Sequence, residues 1–86
     1  MERYELLIKP SAAREIERIS TKAERRRVVH RISALAEDPR PPGCEKLTGR
    51  QAYRVRQGSY RIVFAIDDDT RTVRVFKVGH RRDVYR

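Results

Sequence analysis

The chain lacks the devices that usually staple very small domains together. A single cysteine among 86 residues, Cys44, excludes an internal disulfide and cannot by itself supply a zinc cluster. No apolar run exceeds a few residues, which excludes a transmembrane helix, and Met1-Glu2-Arg3-Tyr4 leads straight into strand-like sequence rather than a signal peptide. The expectation is a soluble, cytoplasmic protein with no membrane partner. The glycines stand singly and form no phosphate loop, no spacing matches the nucleophile–base–acid set of a protease, and there is neither an internal repeat nor a low-complexity segment. Residues 1–86 therefore read as one domain whose core must hold alone or with a partner, burying about 60–65% of the unfolded surface. Hydrophobic residues are only 38% of the chain, but Ile, Val and Leu recur at regular spacings, which suffices for a small core.

Acidic residues are also scarce. Lys and Arg number 21 against 12 Asp and Glu, a formal charge of +9, and 17 of the 21 cations are Arg. Residues 1–43 carry 10 cations and 7 anions, whereas residues 44–86 carry 11 and 5, so the excess is concentrated in the second half. A GC-rich codon preference accounts for Arg over Lys but not for that clustering. The guanidinium fork matches phosphate bidentately and stacks on bases, so RNA or DNA is the natural partner, with an acidic protein surface as the alternative.

The hydrophobic period divides the chain. Residues 3–9 alternate Tyr4, Leu6 and Ile8 against Glu5, Leu7 and Lys9, a strand with one better buried face, which Pro10 closes. Ser11 is placed to cap a short helix that turns Ala12, Ala13, Ile16 and Ile19 inward and Arg14, Glu15, Glu17 and Arg18 to solvent. Thr21 and Glu24 form a capping box for a longer helix over about 21–37, with Val28, Val29, Ile32, Leu35 and Ala36 inward. Asp38-Pro39 and Pro41-Pro42-Gly43 end it. The period then becomes two. Strands at 51–57, 60–66 and 72–78, joined by Gly58-Ser59 and Asp67-Asp68-Asp69-Thr70, make an antiparallel meander. The order βααβββ predicts a two-layer α+β domain, an antiparallel sheet with a helix hairpin on one face.

Arg54 and Arg56 share a strand face, and the next strand brings Arg61 to the same side. The helices cover the other face, taking Tyr53, Val55, Tyr60, Ile62, Phe64 and Ile66. Parity along the last strand adds Val73, Val75, Lys77 and Arg81 to the open side. Like charges so close repel without a ligand, which points to a polyanion site rather than an ordinary solvated face. His80 is the near-neutral proton donor or acceptor of that neighbourhood, since arginine keeps its proton at physiological pH. His30, in the long helix without such company, reads as structural. Tyr85 offers a ring on which a base can stack. Asp67, Asp68 and Asp69 point in alternate directions and favour a turn over a metal site. No cofactor or metal is required for a reaction at phosphate. RNA supplies its own nucleophile, the 2′-hydroxyl, so a protein need only align it, stabilise the developing charge and move protons.

Four stretches together resemble the RelE/ParE superfamily of toxins from type II toxin–antitoxin modules. They are Leu35-Ala36-Glu37-Asp38-Pro39, Lys46-Leu47-Thr48-Gly49, the run from Tyr53-Arg54-Val55-Arg56 through Tyr60-Arg61-Ile62-Val63-Phe64, and Val78-Gly79-His80-Arg81-Arg82-Asp83-Val84-Tyr85-Arg86. The resemblance implies the compact RelE-like sheet with two N-terminal helices on one face. It further implies a ribosome-dependent mRNA interferase, cutting messenger RNA in the A site, silenced by a cognate antitoxin wrapped around it in a hetero-oligomer. By motif position, Arg54 and Arg56 match cations that bind the RNA backbone, one of which takes part in proton transfer in some members. Lys77 and Arg82 extend that RNA-binding set. Arg61 matches the transition-state cation, Arg81 the cation near the leaving oxygen, and Tyr85 the aromatic that orients a base. His80 sits where branches differ, as a candidate general acid or base. The chain has arginine where some relatives have lysine, and it ends at Arg86 without the C-terminal helix of some members, which implies no regulation by displacing such a helix. The resemblance leaves two further readings: a ParE-like toxin that inhibits DNA gyrase without chemistry of its own, and a binding module whose catalysis has decayed.

Overall fold

The computed structural model describes residues 3–49 and 51–80. Strand β1 (Glu5–Ile8) runs into helix α1 (Pro10–Glu17), followed by helix α2 (Lys22–Ala34) and four further strands, β2 (Glu45–Lys46), β3 (Tyr53–Gln57), β4 (Tyr60–Asp67) and β5 (Thr72–His80). The strands form one five-stranded sheet in the order β1-β5-β4-β3-β2, with the helices packed against one face. This is the expected α+β, two-layer arrangement, with two differences. The short strand β2, too brief to show a period, pairs with β3 through Glu45 and Lys46. More consequentially, β1 joins the sheet parallel to β5, so the sheet is mixed rather than antiparallel. Alternation within residues 3–9 records which face is buried but says nothing of which strand lies alongside, and the pairing is fixed by where the two-helix excursion returns the chain.

The helices begin where their backbone donors can be satisfied. Thr21 caps α2, its hydroxyl oxygen accepting from the Glu24 amide at 3.2 Å while it meets Glu24 Oε1 at 2.8 Å, as the capping box requires. Ser11 does not cap α1. The cap position is Lys9, and Pro10 occupies the first helical turn, where its missing N–H is no loss and its fixed φ suits the helix. Proline thus opens the helix and does not merely close the strand.

The core joins Ala12 and Ile16 of α1, Ile19 just beyond it, Val28 and Ile32 of α2 and Leu35 at its C-cap to Val55, Ile62, Phe64, Val73, Val75 and Val78 of the sheet. Three residues expected inward lie out of it. Ala13 is exposed, as are Val29 at 45% and Ile8 at 41%. Val29 follows Val28 by one residue, a rotation of about 100° around the helix, so the two cannot share a face. Ile8 ends an edge strand at the point where the chain leaves for α1.

Glu15, expected in solvent, instead fastens α1 to the sheet. Its Oε1 accepts the Val78 backbone N–H at 2.8 Å and its Oε2 lies 3.2 Å from Lys77 Nζ. Strand β1 reaches only as far along β5 as Val75, where Lys9 N–H still donates to the Val75 carbonyl, so beyond that point no strand among the described residues flanks β5 on this side, and α1 covers it with a carboxylate. Glu15→Ala leaves a partly buried amide without its acceptor and should cost about 1–3 kcal/mol. Glu15→Gln retains an acceptor oxygen and should cost clearly less, a difference that urea denaturation of the two variants measures.

Candidate nucleic-acid interface

The face of the sheet away from the helices carries the cations. Arg56 and Arg61 are direct cross-strand partners between β3 and β4, and Arg54 stands opposite Val63, so all three side chains leave the same face. The two-residue turn between those strands makes this register possible, with Gly58 at φ +61° in the left-handed region that hairpin turns need. Arg61 is on the central strand and only 9% exposed, the one charged side chain among the described residues in the buried class. Arg56 is exposed. A guanidinium held this far out of water acts through a lower local dielectric than a surface cation does, and its field on a phosphate is correspondingly stronger.

Strand β5 departs from the expected parity. Val63 pairs with Lys77 but Phe64 pairs with Val75, so Phe76 is an extra residue in a bulge. Before the bulge, Val73 and Val75 face the helices and are fully buried, not on the open side. After it, Lys77 faces with Val63 and Val78 returns to the core opposite Ile62. The adjacent apolar pair Val75-Phe76 is the sequence trace of this shift, since unbroken alternation would make one of them polar. Lys77 reaches the open side by register, yet its ammonium is drawn round the edge to Glu15. The shift also puts Arg74 on the open face, across from Ala65 and Leu7, a cation that unbroken parity assigned to the other side. Around it Leu7, Ile8, Pro10, Ala65 and Phe76 line a shallow cavity of about 560 Å³, so the open face is basic toward β3 and apolar toward β1.

His80 does not join the arginines. It pairs with Tyr60, on the face that Ile62 shares, and the two rings meet edge to face at 5.8 Å. Gly79, which contributes no side chain, is the residue opposite Arg61. Arg81, Arg82 and Tyr85 lie outside the described residues. His30, expected to be structural, is exposed on α2. Two carboxylates shape the surroundings. Glu45 of β2 pairs with Arg54, Oε1 to Nε at 3.4 Å, placing an anion at the rim of the cationic face.

The second is Asp68, in the turn between β4 and β5. Arg40 grips it with two hydrogen bonds, at 2.9 and 3.3 Å, and Tyr4 donates its hydroxyl at 2.6 Å. The same guanidinium lies 5.4 Å from the Tyr53 ring centre, tying the loop after α2 to the sheet. Asp67 Oδ1 accepts from the Asp69 and Thr70 amides, so these acidic residues build the turn. Hydrogen bonds from Arg40 and Tyr4 hold the Asp68 carboxyl below the ordinary carboxylate range. A depressed folded-state value means that the contribution to stability is full above the unfolded carboxylate's range and fades as pH falls through the lower one. The stability difference between the parent chain and Asp68→Asn, followed by thermal melts across pH 2–7, should therefore be constant near neutrality and vanish in strong acid.

This fold is shared with known proteins. The family model described as the ParE toxin of type II toxin–antitoxin systems matches residues 6–85. The chain belongs to the ParE toxin family. A curated relative, Toxin RelG of Mycobacterium tuberculosis, is 44% identical to this toxin over 34 residues, 40% of its chain, and the match spans only 39% of the relative's length. Among solved structures, the toxin superposes on the archaeal RelE–RelB complex from Pyrococcus horikoshii OT3 with a TM-score of 0.82 at 23% identity, covering 95% of this chain and 99% of that one. The intact E. coli RelBE toxin–antitoxin complex gives 0.76 at 26% identity over 90% and 95% of the two chains. The M. tuberculosis RelBE2 complex gives 0.79 at 23% identity over 91% and 98%. The likenesses at 23% identity speak for the fold, and the helix pair over a five-stranded mixed sheet is that of RelE toxins.

Proposed function

We propose that the toxin is a metal-independent mRNA interferase that cuts messenger RNA on the ribosome and thereby stops translation. The observation that carries this reading is the Arg56–Arg61 pair, two like charges directly opposed on the open face, one of them almost buried. Such a pair is well placed to hold a phosphate that gains charge during reaction. In the proposed step the ribose 2′-hydroxyl attacks the adjacent phosphorus and loses its proton. The bond to the 5′-oxygen breaks, that oxygen takes up a proton, and the products are a 2′,3′-cyclic phosphate and a 5′-hydroxyl end. Arg61 stabilises the phosphorane-like charge, while Arg56 and Arg54 hold the backbone on either side. His80, turned toward Tyr60, is not assigned the proton transfers. Solvent water takes and supplies the two protons, with Arg81 assigned beside the leaving oxygen, Arg82 to the backbone and Tyr85 to stacking on a base.

A cognate antitoxin is the partner we assign, in a cytoplasmic hetero-oligomer. The RelE-like structures solved as complexes with their antitoxins support it, and the mixed basic and apolar character of the open face suits a chain segment that folds on binding. The ParE family match over residues 6–85 favours a second reading, a toxin that binds DNA gyrase and uses the arginines as a docking surface. Incubating the purified toxin with ribosomes programmed with a defined message separates the two. New 5′-hydroxyl ends within the A-site codon are expected. An intact message, with gyrase supercoiling inhibited by the same preparation, would reject the interferase.

A further inference from the structure

Lys77 belongs to the open face by register, yet its charge is spent elsewhere. It pairs with Val63, which pairs in turn with Arg54, so these three residues make one cross-strand row. The next row is Arg56, Arg61 and Gly79. Lys77 is therefore the diagonal neighbour of Arg61, with the two backbones roughly 7–8 Å apart. Gly79 puts no side chain between them. His80 faces the other way, so Lys77 is the cation of β5 that register places beside Arg61.

Its ammonium is drawn round the edge of the sheet to Glu15 Oε2, 3.2 Å away. The two partners are not held equally. The carboxylate has an anchor of its own, since its Oε1 accepts the Val78 backbone N–H at 2.8 Å, and Glu15 keeps its place whether or not Lys77 stays. The lysine side chain is 40% exposed and rides on a flexible four-carbon stem, and an ion pair so open to water is weak. A phosphate oxygen offers the ammonium the same charge-assisted contact that the carboxylate does. A fixed acceptor and a mobile donor are what an exchangeable contact requires.

We infer that Glu15 is an internal stand-in for phosphate, which holds Lys77 off the open face until the backbone of a single RNA strand draws the ammonium across Gly79 to the phosphate beside Arg61. The inference rests on the reading of the open face as the surface that binds message. Lys77 then contributes only when a strand is in place, and every strand that binds must first part the Lys77–Glu15 pair. Removing the charge of the carboxylate therefore tightens RNA binding, and does so through Lys77. A contact that merely fastens α1 to the sheet would leave RNA affinity unmoved.

The test compares the full 86-residue chain with E15Q, K77A and E15Q/K77A, each checked by circular dichroism. E15Q keeps an acceptor oxygen for the Val78 amide and loses only the charge. Fluorescence anisotropy over a salt series reads binding of a ten-nucleotide RNA whose 2′-hydroxyls are methylated, so that it cannot be cut. E15Q is expected to bind roughly two- to fivefold more tightly than the parent, the range that an exposed ion pair allows. K77A should bind about threefold more weakly, with a salt dependence shallower by roughly 0.7, one phosphate contact on a single strand. In the K77A background, E15Q should change affinity by less than about 1.5-fold. Equal tightening with and without Lys77 means that the carboxylate acts through its field alone and overturns the inference. Unchanged affinity in E15Q or K77A overturns it too, as does a parent that does not bind the oligonucleotide. In the unmutated chain, the carbon-13 resonance of the Glu15 carboxyl should move as the oligonucleotide is added and the ammonium leaves. A resonance that stays in place overturns the inference whatever the variants do. Cleavage of ribosome-bound message, read separately, keeps the two claims apart. A parent that shows this coupling but cuts no message retains the exchange and loses the interferase reading. A parent that cuts message while all three variants bind RNA as it does itself gives the reverse.

Discussion

Arg61→Ala should lower message cleavage by roughly 100- to 1000-fold, the usual effect of removing one preorganised group that stabilises transition-state charge. The fold should survive. Arg61 lies on the open face and outside the hydrophobic core, so the melting temperature should stay within a few degrees of the parent's. Arg61→Lys discriminates further. It keeps the charge but loses the planar fork, and should recover only a small part of the activity if bidentate contact with phosphate is what matters. Full cleavage by folded Arg61→Ala would contradict the assignment of its role. An unfolded Arg61→Ala protein would show instead that the side chain serves the fold.

Phe64→Ala should be the most damaging single change to stability. Phe64 is fully buried at the centre of β4, stacked on Tyr53 with ring centres 5.9 Å apart, and it joins the sheet to the helical layer. Truncation removes the transfer free energy of the ring and leaves a cavity, about 3–5 kcal/mol together. A domain of this size has about 5–10 kcal/mol in all, toward the low end of the range for globular proteins. Chemical denaturation should therefore show a midpoint near the start of the titration, and binding partners that select the folded state should restore part of it. Loss of less than 1 kcal/mol would mean that the two layers are held elsewhere, with the Arg40–Asp68–Tyr4 contacts the first place to look.

Much of this architecture is legible in the residues. The Thr21–Glu24 box marks the start of α2, the change of period after Gly43 marks the meander, and Arg56 and Arg61 fall on one face once the Gly58-Ser59 turn is recognised. What is not legible depends on partners distant in sequence. The parallel pairing of β1 with β5 leaves no trace in either strand's own pattern. The bulge at Phe76 appears only as two adjacent apolar residues, and it decides that Val73 and Val75 belong to the core and that Arg74 does not. Glu15 looks like any solvent-facing helix carboxylate until α1 lies beside the uncovered end of β5. His80 is near the arginines in sequence, but strand alternation sends it to the opposite face. Local periodicity thus finds the elements and their buried sides, while register and edge coverage settle which polar groups meet.

The central claim is that the arginine face acts on message rather than serving to dock gyrase, and it can be tested in cells. The toxin is induced in a bacterial host, and incorporation of labelled amino acid and labelled thymidine is followed over the first minutes. The expected result is an early collapse of protein synthesis while DNA synthesis continues, absent from the Arg61→Ala strain. Early loss of thymidine incorporation with protein synthesis intact would contradict it and make the arginines a binding surface for gyrase.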